Sequence, residues 1–250
     1  MTDEHLRLLK GAQVGYSREL EAYALSAAIP YWRLWLSFYG PQEVIDAQWQ
    51  AAQRHFSRVA GVTFQVRDRA RFPLDRARVT DYHEPELGVP SLRAFSIGAR
   101  TPWNPTPSKG HMWFSPIIPR SGEAIIEANK VFSEAASSLG MPLFTTFTLP
   151  ACFWERSFIF ILATPVTEEP ETNRRYREGF KQLIAVGGQH GWGEYRTAPV
   201  FQQSVMDVYS YNNHALHRFH ATLKDAIDPN GILSAGRYAI WPKHLREKQS

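Results

Sequence analysis

The chain has 250 residues, 44% of them hydrophobic and 13% aromatic, enough to bury a sizeable core and to exclude an intrinsically disordered protein. Its 28 Lys and Arg are interleaved with 24 Asp and Glu for a net charge of +4, whereas nucleic-acid binders concentrate basic charge on one face, so no nucleic-acid partner is expected. Cys152 is the single cysteine, which excludes an internal disulfide and fits a reducing compartment. No apolar run approaches the about eighteen residues of a membrane span, and Asp3 and Glu4 stand where a signal peptide carries positive charge. The expectation is a cytoplasmic protein, neither exported nor membrane-embedded.

The elements begin with helical spacing over residues 4 to 26, at Leu6, Leu9, Leu20 and Tyr23, weakened by Gly11 and Gly15. Trp32, Leu34, Leu36 and Phe38 alternate as in a half-buried strand. Gly40-Pro41 then turns into a helix marked by Val44, Ile45, Ala52 and Phe56, and Val62 to Val66 reads as a second strand. Residues 68 to 109 carry six prolines and no sustained period, a loop long enough to be functional or to cover something. Its basic run of Arg67, Arg69, Arg71, Arg76 and Arg78 sits among aspartates and reads as a solvated loop.

From residue 111 the expected order is a strand, a helix over 121–139 stopped by Gly140, strands at 143–149 and 157–163, a helix over 170–186, a short extended piece at 194–197 and a last helix over 201–227. Asp228-Pro229-Asn230-Gly231 has the residues of a type I turn, with aspartate first, proline second and glycine fourth. This pattern predicts an α+β fold, an antiparallel-rich sheet with helices packed on one face.

The end of the chain carries a distinctive spelling: Gly191-Trp192-Gly193-Glu194-Tyr195-Arg196-Thr197, then Tyr211-Asn212-Asn213, then Asp228-Pro229-Asn230-Gly231-Ile232-Leu233, then Gly236 and Ile240-Trp241-Pro242. Upstream lie Phe38-Tyr39-Gly40-Pro41 and, three residues after His111, Phe114-Ser115-Pro116-Ile117. Together these resemble the 4-phenol-oxidising flavoenzymes, the group of vanillyl-alcohol oxidase, eugenol oxidase and 4-cresol dehydrogenase, over roughly residues 30 to 242. The resemblance implies the C-terminal substrate (cap) domain of an FAD-linked oxidase, a ferredoxin-like α+β fold. It divides the chain into an N-terminal helical segment at 1–30 and a cap domain at 31–250. The family's FAD-binding domain lies mainly N-terminal to the cap and has no counterpart in these residues.

In that family para-substituted phenols such as vanillyl alcohol, 4-cresol or eugenol are oxidised by hydride transfer to flavin through a quinone methide. The resemblance implies that Tyr195 and Arg196 bind the phenolate, that Trp113 lines the aromatic pocket, and that His111 is the residue tethered covalently to FAD in the oxidase members. Glu194, in the same motif, is placed with His111 on the cofactor side and orients Arg196 or its neighbours. Taken alone, a Tyr-Arg pair reads as a strand-edge tyrosine beside a solvated arginine, His111 as a partly buried histidine, and Trp113 as a core residue; the flanking motif gives them chemistry. One departure is Glu155-Arg156, where the vanillyl-alcohol oxidase pattern carries two histidines. The implied cofactor is FAD. The implied partners are a phenolic substrate, a separate FAD-binding subunit and further copies of the chain in a homo-oligomer. The alternative is a cap domain that acts without catalysis as a binding or interaction module.

No metal site is expected. His214, His217 and His220 recur every three residues and drift around a helix, whereas a chelating pair is more usually four apart. Gly187, Gly188, Gly191 and Gly193 follow a helix where a dinucleotide fingerprint must open one, and no phosphate-cradling Gly-Lys-Ser/Thr loop or Gly-x-Ser-x-Gly elbow occurs. Cys152, beside Phe153, reads as a packing residue.

Overall fold

The computed structural model describes residues 22, 26, 32, 34–66, 69–75, 77, 87–88, 110–141, 146–150 and 157–246. They fall into two compact units, one of residues 18–96 and one built on residues 97–250. The expected N-terminal helix, most of the proline-rich loop, Cys152, Glu155 and Arg156 lie outside the described residues.

In the smaller unit, helix α1 (Gln42–Phe56) starts directly after Pro41 and carries Glu43 in its first turn and Arg54 and His55 in its last, charges that complement the helix dipole. Trp49 meets Phe64 edge-on at 5.8 Å between ring centroids. The strands expected at 31–38 and 62–66 are not found: among the described residues, 34–39 and 62–66 enter no ladder. Trp32, Leu34 and Trp35 are more than half exposed. Alternation supplies a face, but a strand also needs a neighbour for its N–H and C=O groups.

The larger unit is organised around one long strand. Strands β1 (Gly110–Phe114) and β2 (Ile117–Pro119) both run antiparallel to β4 (Ser157–Val166), and the same register carries through both, from Gly110 opposite Val166 to Pro119 opposite Ser157. The Phe160 N–H donates to the Pro116 carbonyl at 2.8 Å, so the ladder on this side passes through the break at residues 115–116. On its other side β4 pairs with β3 (Thr146–Pro150). The strands expected at 111, 143–149 and 157–163 are thus present within a few residues.

Alternation divides the sheet cleanly. Phe114, Ile118, Phe160 and Leu162 point to one face and join the core, while His111, Trp113, Ser115, Ile117, Ile159 and Ile161 belong to the other. Helices α2 (Gly122–Ser138) and α3 (Pro170–Gln189) cover the first face. Ser121 caps α2 by accepting from the Ala124 N–H at 3.1 Å, and Ala124, Ala128, Phe132 and Ala136 form its buried stripe. Gly140, at φ +61, ends the helix in the left-handed conformation that glycine adopts most readily. Pro170 opens α3, which buries Tyr176, Phe180, Leu183 and Ile184; a Cβ on Gly179 would collide with the Met141 sulfur.

The single helix expected over 201–227 is broken in two. A short 3-10 turn (Pro199–Phe201) leads into α4 (Gln202–Asp207), and after a turn comes α5 (Tyr211–Ile227). The residues between and after them, Val208-Tyr209-Ser210-Tyr211-Asn212-Asn213, are poor helix formers. Asn212, Asn213 and His214 take positive φ, a region that Asn and His enter more readily than most residues, and Arg218 donates to the carbonyls of Asn212 and Asn213. The turn at 228–231 forms as its residues predict, with the Gly231 N–H on the Asp228 carbonyl at 3.0 Å; Arg237–Ala239 is a 3-10 turn and α6 (Lys243–Arg246) follows.

The core centres on aromatic rings. Phe132 meets Phe114 edge-on at 5.2 Å, stacks with Phe160 at 6.0 Å and lies 5.6 Å from Trp192, while Phe180 stacks on Phe201 at 4.4 Å. A Phe132→Ala substitution removes the ring that joins helix, sheet and Trp192. It is expected to cost about 3–5 kcal/mol, read as a lowered denaturant midpoint.

Candidate functional site

The segment carrying Glu194, Tyr195 and Arg196 is held at both ends of a short stretch. Trp192 is buried against Phe132, its ring stacked on His190 at 4.5 Å, and its N–H donates to the Gly187 carbonyl at 2.8 Å. Gly187 has to be small: a Cβ there would press on the Trp192 carbonyl and the Phe114 ring. From this plug the chain runs out along the free edge of the β1–β2 strand at its break.

At that edge the Ile117 N–H donates to the Gly193 carbonyl at 2.8 Å and the Tyr195 N–H to the Ser115 carbonyl at 2.9 Å, with Pro116 facing Glu194 in an antiparallel bridge. A regular ladder would next send the Ser115 N–H to the Tyr195 carbonyl. Here it donates to the Glu194 carboxylate, at 3.0 and 3.1 Å to its two oxygens. The Arg196 N–H also donates to this carboxylate. Glu194 therefore stands in for a strand carbonyl, and the backbone is released from the sheet just where Tyr195 and Arg196 begin. Both side chains are exposed.

Because paired residues in an antiparallel ladder share a face, Tyr195 is aligned with Ser115, and so with Trp113 and His111, on the face turned away from α2 and α3. His111 and Trp113 are both half-buried and meet edge-on at 4.8 Å. Three of the residues expected to bind substrate or tether the cofactor, Tyr195, Trp113 and His111, thus share one side of one strand system. The contact of Glu194 with Arg196 is to the backbone N–H.

Burial pushes the Glu194 carboxyl up to about 8, against the pull of the Ser115 and Arg196 N–H groups. Tyr209 shares this environment: its phenol is raised by burial and by the Glu194 charge, and its hydroxyl lies where a Cβ on Gly193 would be. Sequence reading missed Tyr209 and Ser115, since no local spelling links residue 115 to residue 194 or residue 209 to residue 193. The one hint is Gly193 itself, a glycine inside an otherwise bulky motif. Among the described residues no group of His, Cys, Asp and Glu could hold a metal ion. His217 Nε2 lies 3.2 Å from the Ala239 carbonyl and the buried His220 Nδ1 has no hydrogen-bond partner. No described helix is long and apolar enough to cross a membrane.

The fold is similar to that of two solved enzymes, a 4-ethylphenol oxidase and a p-cresol methylhydroxylase. The chain is homologous to part of the 4-cresol dehydrogenase (hydroxylating) flavoprotein subunit of Pseudomonas putida, 24% identical over 210 residues, covering 84% of this chain and 37% of that protein. It superposes on 4-ethylphenol oxidase from Gulosibacter chungangensis, solved with isoeugenol, at a TM-score of 0.74 and 25% identity, over 96% of this chain and 45% of the other. It shares the fold of p-cresol methylhydroxylase, solved with substrate bound, at a TM-score of 0.70 and 21% identity, over 92% of this chain and 42% of the other. No protein-family profile matches the chain. The chain spans less than half the length of each of these relatives.

The Glu194 geometry gives a pH signature. A carboxyl whose native pKa is about 8, against 4.5 for the unconstrained group, makes its full contribution to stability below pH 4.5 and loses it as pH rises through 8. Thermal unfolding midpoints are expected to fall over that window in the wild type. In Glu194→Gln, which cannot ionise, the slope should flatten; an unchanged slope would remove Glu194 as its source.

Proposed function

We propose that this chain is the substrate domain of an FAD-dependent oxidoreductase that oxidises para-substituted phenols by hydride transfer through a quinone methide. The observation that carries the reading is the exposed Tyr195–Arg196 pair, anchored at Ser115, with Tyr195 on the same sheet face as Trp113 and His111. Similarity to the phenol-oxidising flavoproteins supports it.

Tyr195 and Arg196 hold the substrate as phenolate. A phenol ionises near pH 10, so binding the anion at neutral pH requires lowering its pKa by about three units, about 4 kcal/mol. Hydrogen bonds to charged groups contribute about 1.5–3 kcal/mol each, so two donors suffice, and Arg196 keeps its charge at any working pH. Electron density pushed from the phenolate oxygen through the ring stabilises the para benzylic carbon as it loses hydride. Trp113 offers an aromatic wall, and Glu194 fixes the backbone that presents the pair.

The half-buried imidazole of His111, at the strand end on the same face, fits the role of flavin tether, with a ring nitrogen as nucleophile. FAD, when bound, supplies the hydride acceptor, and a separate FAD-binding subunit completes the site. A second reading, a cap domain that binds without catalysing, draws on the chain's coverage of only 37% of its flavoprotein relative.

An Arg196→Ala substitution is expected to abolish binding of a para-alkylphenol while leaving the unfolding midpoint unchanged, because the side chain is exposed; undiminished affinity in a calorimetric titration would take Arg196 out of the site. In the FAD-loaded assembly, visible flavin absorbance should remain with acid-precipitated wild-type protein and pass to the supernatant in His111→Ala. A wild-type assembly that binds phenol yet carries no flavin would favour the non-catalytic reading.

A further inference from the structure

The break between α4 and α5 does more than end a helix. Past α4 the Tyr209 N–H donates to the Met206 carbonyl at 3.2 Å, and this turn brings Val208 and Tyr209 against the last turn of α3 and the segment beyond it. Each side chain is met by a glycine. A Cβ on Gly188 would stand 2.7 Å from the Val208 Cβ, while a Cβ on Gly193 would collide with the Tyr209 hydroxyl and stand 3.3 Å from the ring carbon that bears it. In sequence the two glycines lie on either side of Trp192, the buried plug of the segment. Gly188 and Gly193, which form no dinucleotide loop, are thus seats for the turn after α4.

The two seats hold different things. Val208 packs on the hydrophobic core and fixes the turn. Tyr209 is 37% exposed, yet its polar end is the part turned in, onto the backbone that follows the sheet edge. Gly193 is held through its carbonyl by the Ile117 N–H, and the Tyr209 hydroxyl occupies the place of its missing side chain. Glycine has more backbone freedom than any other residue, so the step from the Trp192 plug to Glu194 would be the loosest link of the segment with nothing packed on it. The next residue is Glu194, whose carboxyl must reach the Ser115 N–H for the ladder to end there. Three groups act on that carboxyl: the Ser115 N–H from the strand edge, the Arg196 N–H from its own segment, and the Tyr209 phenol, which lies close enough for the Glu194 charge to raise it.

We propose that Tyr209 is a positioning residue for the phenol-binding pair: its hydroxyl, seated on Gly193, restrains the one glycine between the Trp192 plug and Glu194, and so keeps Tyr195 and Arg196 presented where the ladder ends. What the pair binds rests on the functional reading above; the seat itself does not. The contact is a matched one, since a side chain at residue 193 would displace the hydroxyl and loss of the hydroxyl would leave room for a methyl group.

The test uses the full chain, with 4-ethylphenol as the calorimetric probe, amide exchange at Ser115 and Arg196, and an NMR titration of the Glu194 carboxyl. Tyr209→Ala is expected to speed exchange of both amides about tenfold while the β3–β4 ladder exchanges as in wild type, because local opening is read separately from global unfolding. Affinity for 4-ethylphenol should fall about tenfold, on the scale of coupling between residues in contact. Opening the Glu194 carboxyl to water should move its titration down from about 8 toward the ordinary carboxylate range, because burial is the first cause of its rise. Gly193→Ala should lose amide protection and affinity in the same way, and adding Tyr209→Phe to it should restore both to within about twofold of wild type. The proposal is overturned by a Tyr209→Ala chain whose Ser115 and Arg196 amides exchange as in wild type, by a double variant no better than Gly193→Ala, or by losses that follow the unfolding midpoint from variant to variant. A wild-type chain that binds no 4-ethylphenol while the amide and titration responses appear would overturn the functional reading and leave the seat standing.

Discussion

The arrangement of the site depends on one substitution in the hydrogen-bond ladder, the Glu194 carboxylate in the place of a strand carbonyl. Ser115 presents its N–H and C=O to the outside of the sheet, and the neighbouring segment must satisfy both. Its carbonyl takes the Tyr195 N–H as any strand partner would. Its N–H takes a side chain. A third backbone bond would have continued the strand past Tyr195. With the side chain in its place the backbone can leave the ladder after Tyr195, and the phenol and guanidinium are exposed.

That arrangement is affordable because the anchor behind it is apolar. Trp192, one residue from Gly193, sits in the aromatic cluster of Phe114, Phe132 and Phe160, so the edge segment is fixed by packing before any polar bond is counted. The same strand serves both purposes. Phe114 faces the helices and holds the sheet to them, while Trp113 and His111 on the same strand face away. A period of two is what lets one short strand send alternate side chains to the core and to the opposite face. The raised carboxyl of Glu194 and the raised phenol of Tyr209 follow from placing polar groups so close to that core.

Much of this was legible in the sequence. The glycine stop after α2, the proline start of α3, the type I turn at 228–231 and the strands from residue 110 onward are written in local spelling, and the structure has them. What local spelling could not convey was pairing. Alternation at 31–38 and 62–66 predicted strands, and the described parts of both lack a ladder neighbour. The break near residue 208 was hidden because apolar residues continue through it with helical spacing, although Ser210 and the two asparagines argue against a helix there. Of the site, the Tyr195–Arg196 pair stood out from its motif, but the contact of Glu194 with Ser115 joins residues 79 apart in sequence and depends on the register of the sheet edge.

Helix α5 shows a different limit. A hydrophobic period says that a helix has an apolar side; it does not say toward what that side is turned. The direction is decided by the polar side, through the Lys224–Asp228 pair and the carbonyl of Leu233, which together cradle an ammonium that could not otherwise be buried. Lysine at the centre of an inward face is costly unless its charge is paired and hydrogen-bonded, as it is here. The buried ion pair thus fixes the helix orientation that leaves Leu216, Phe219, Leu223 and Ile227 on the surface. The same turn residues that close the helix hold the pair in place, so the segment whose spelling looked like a simple stop signal also sets which way the helix faces.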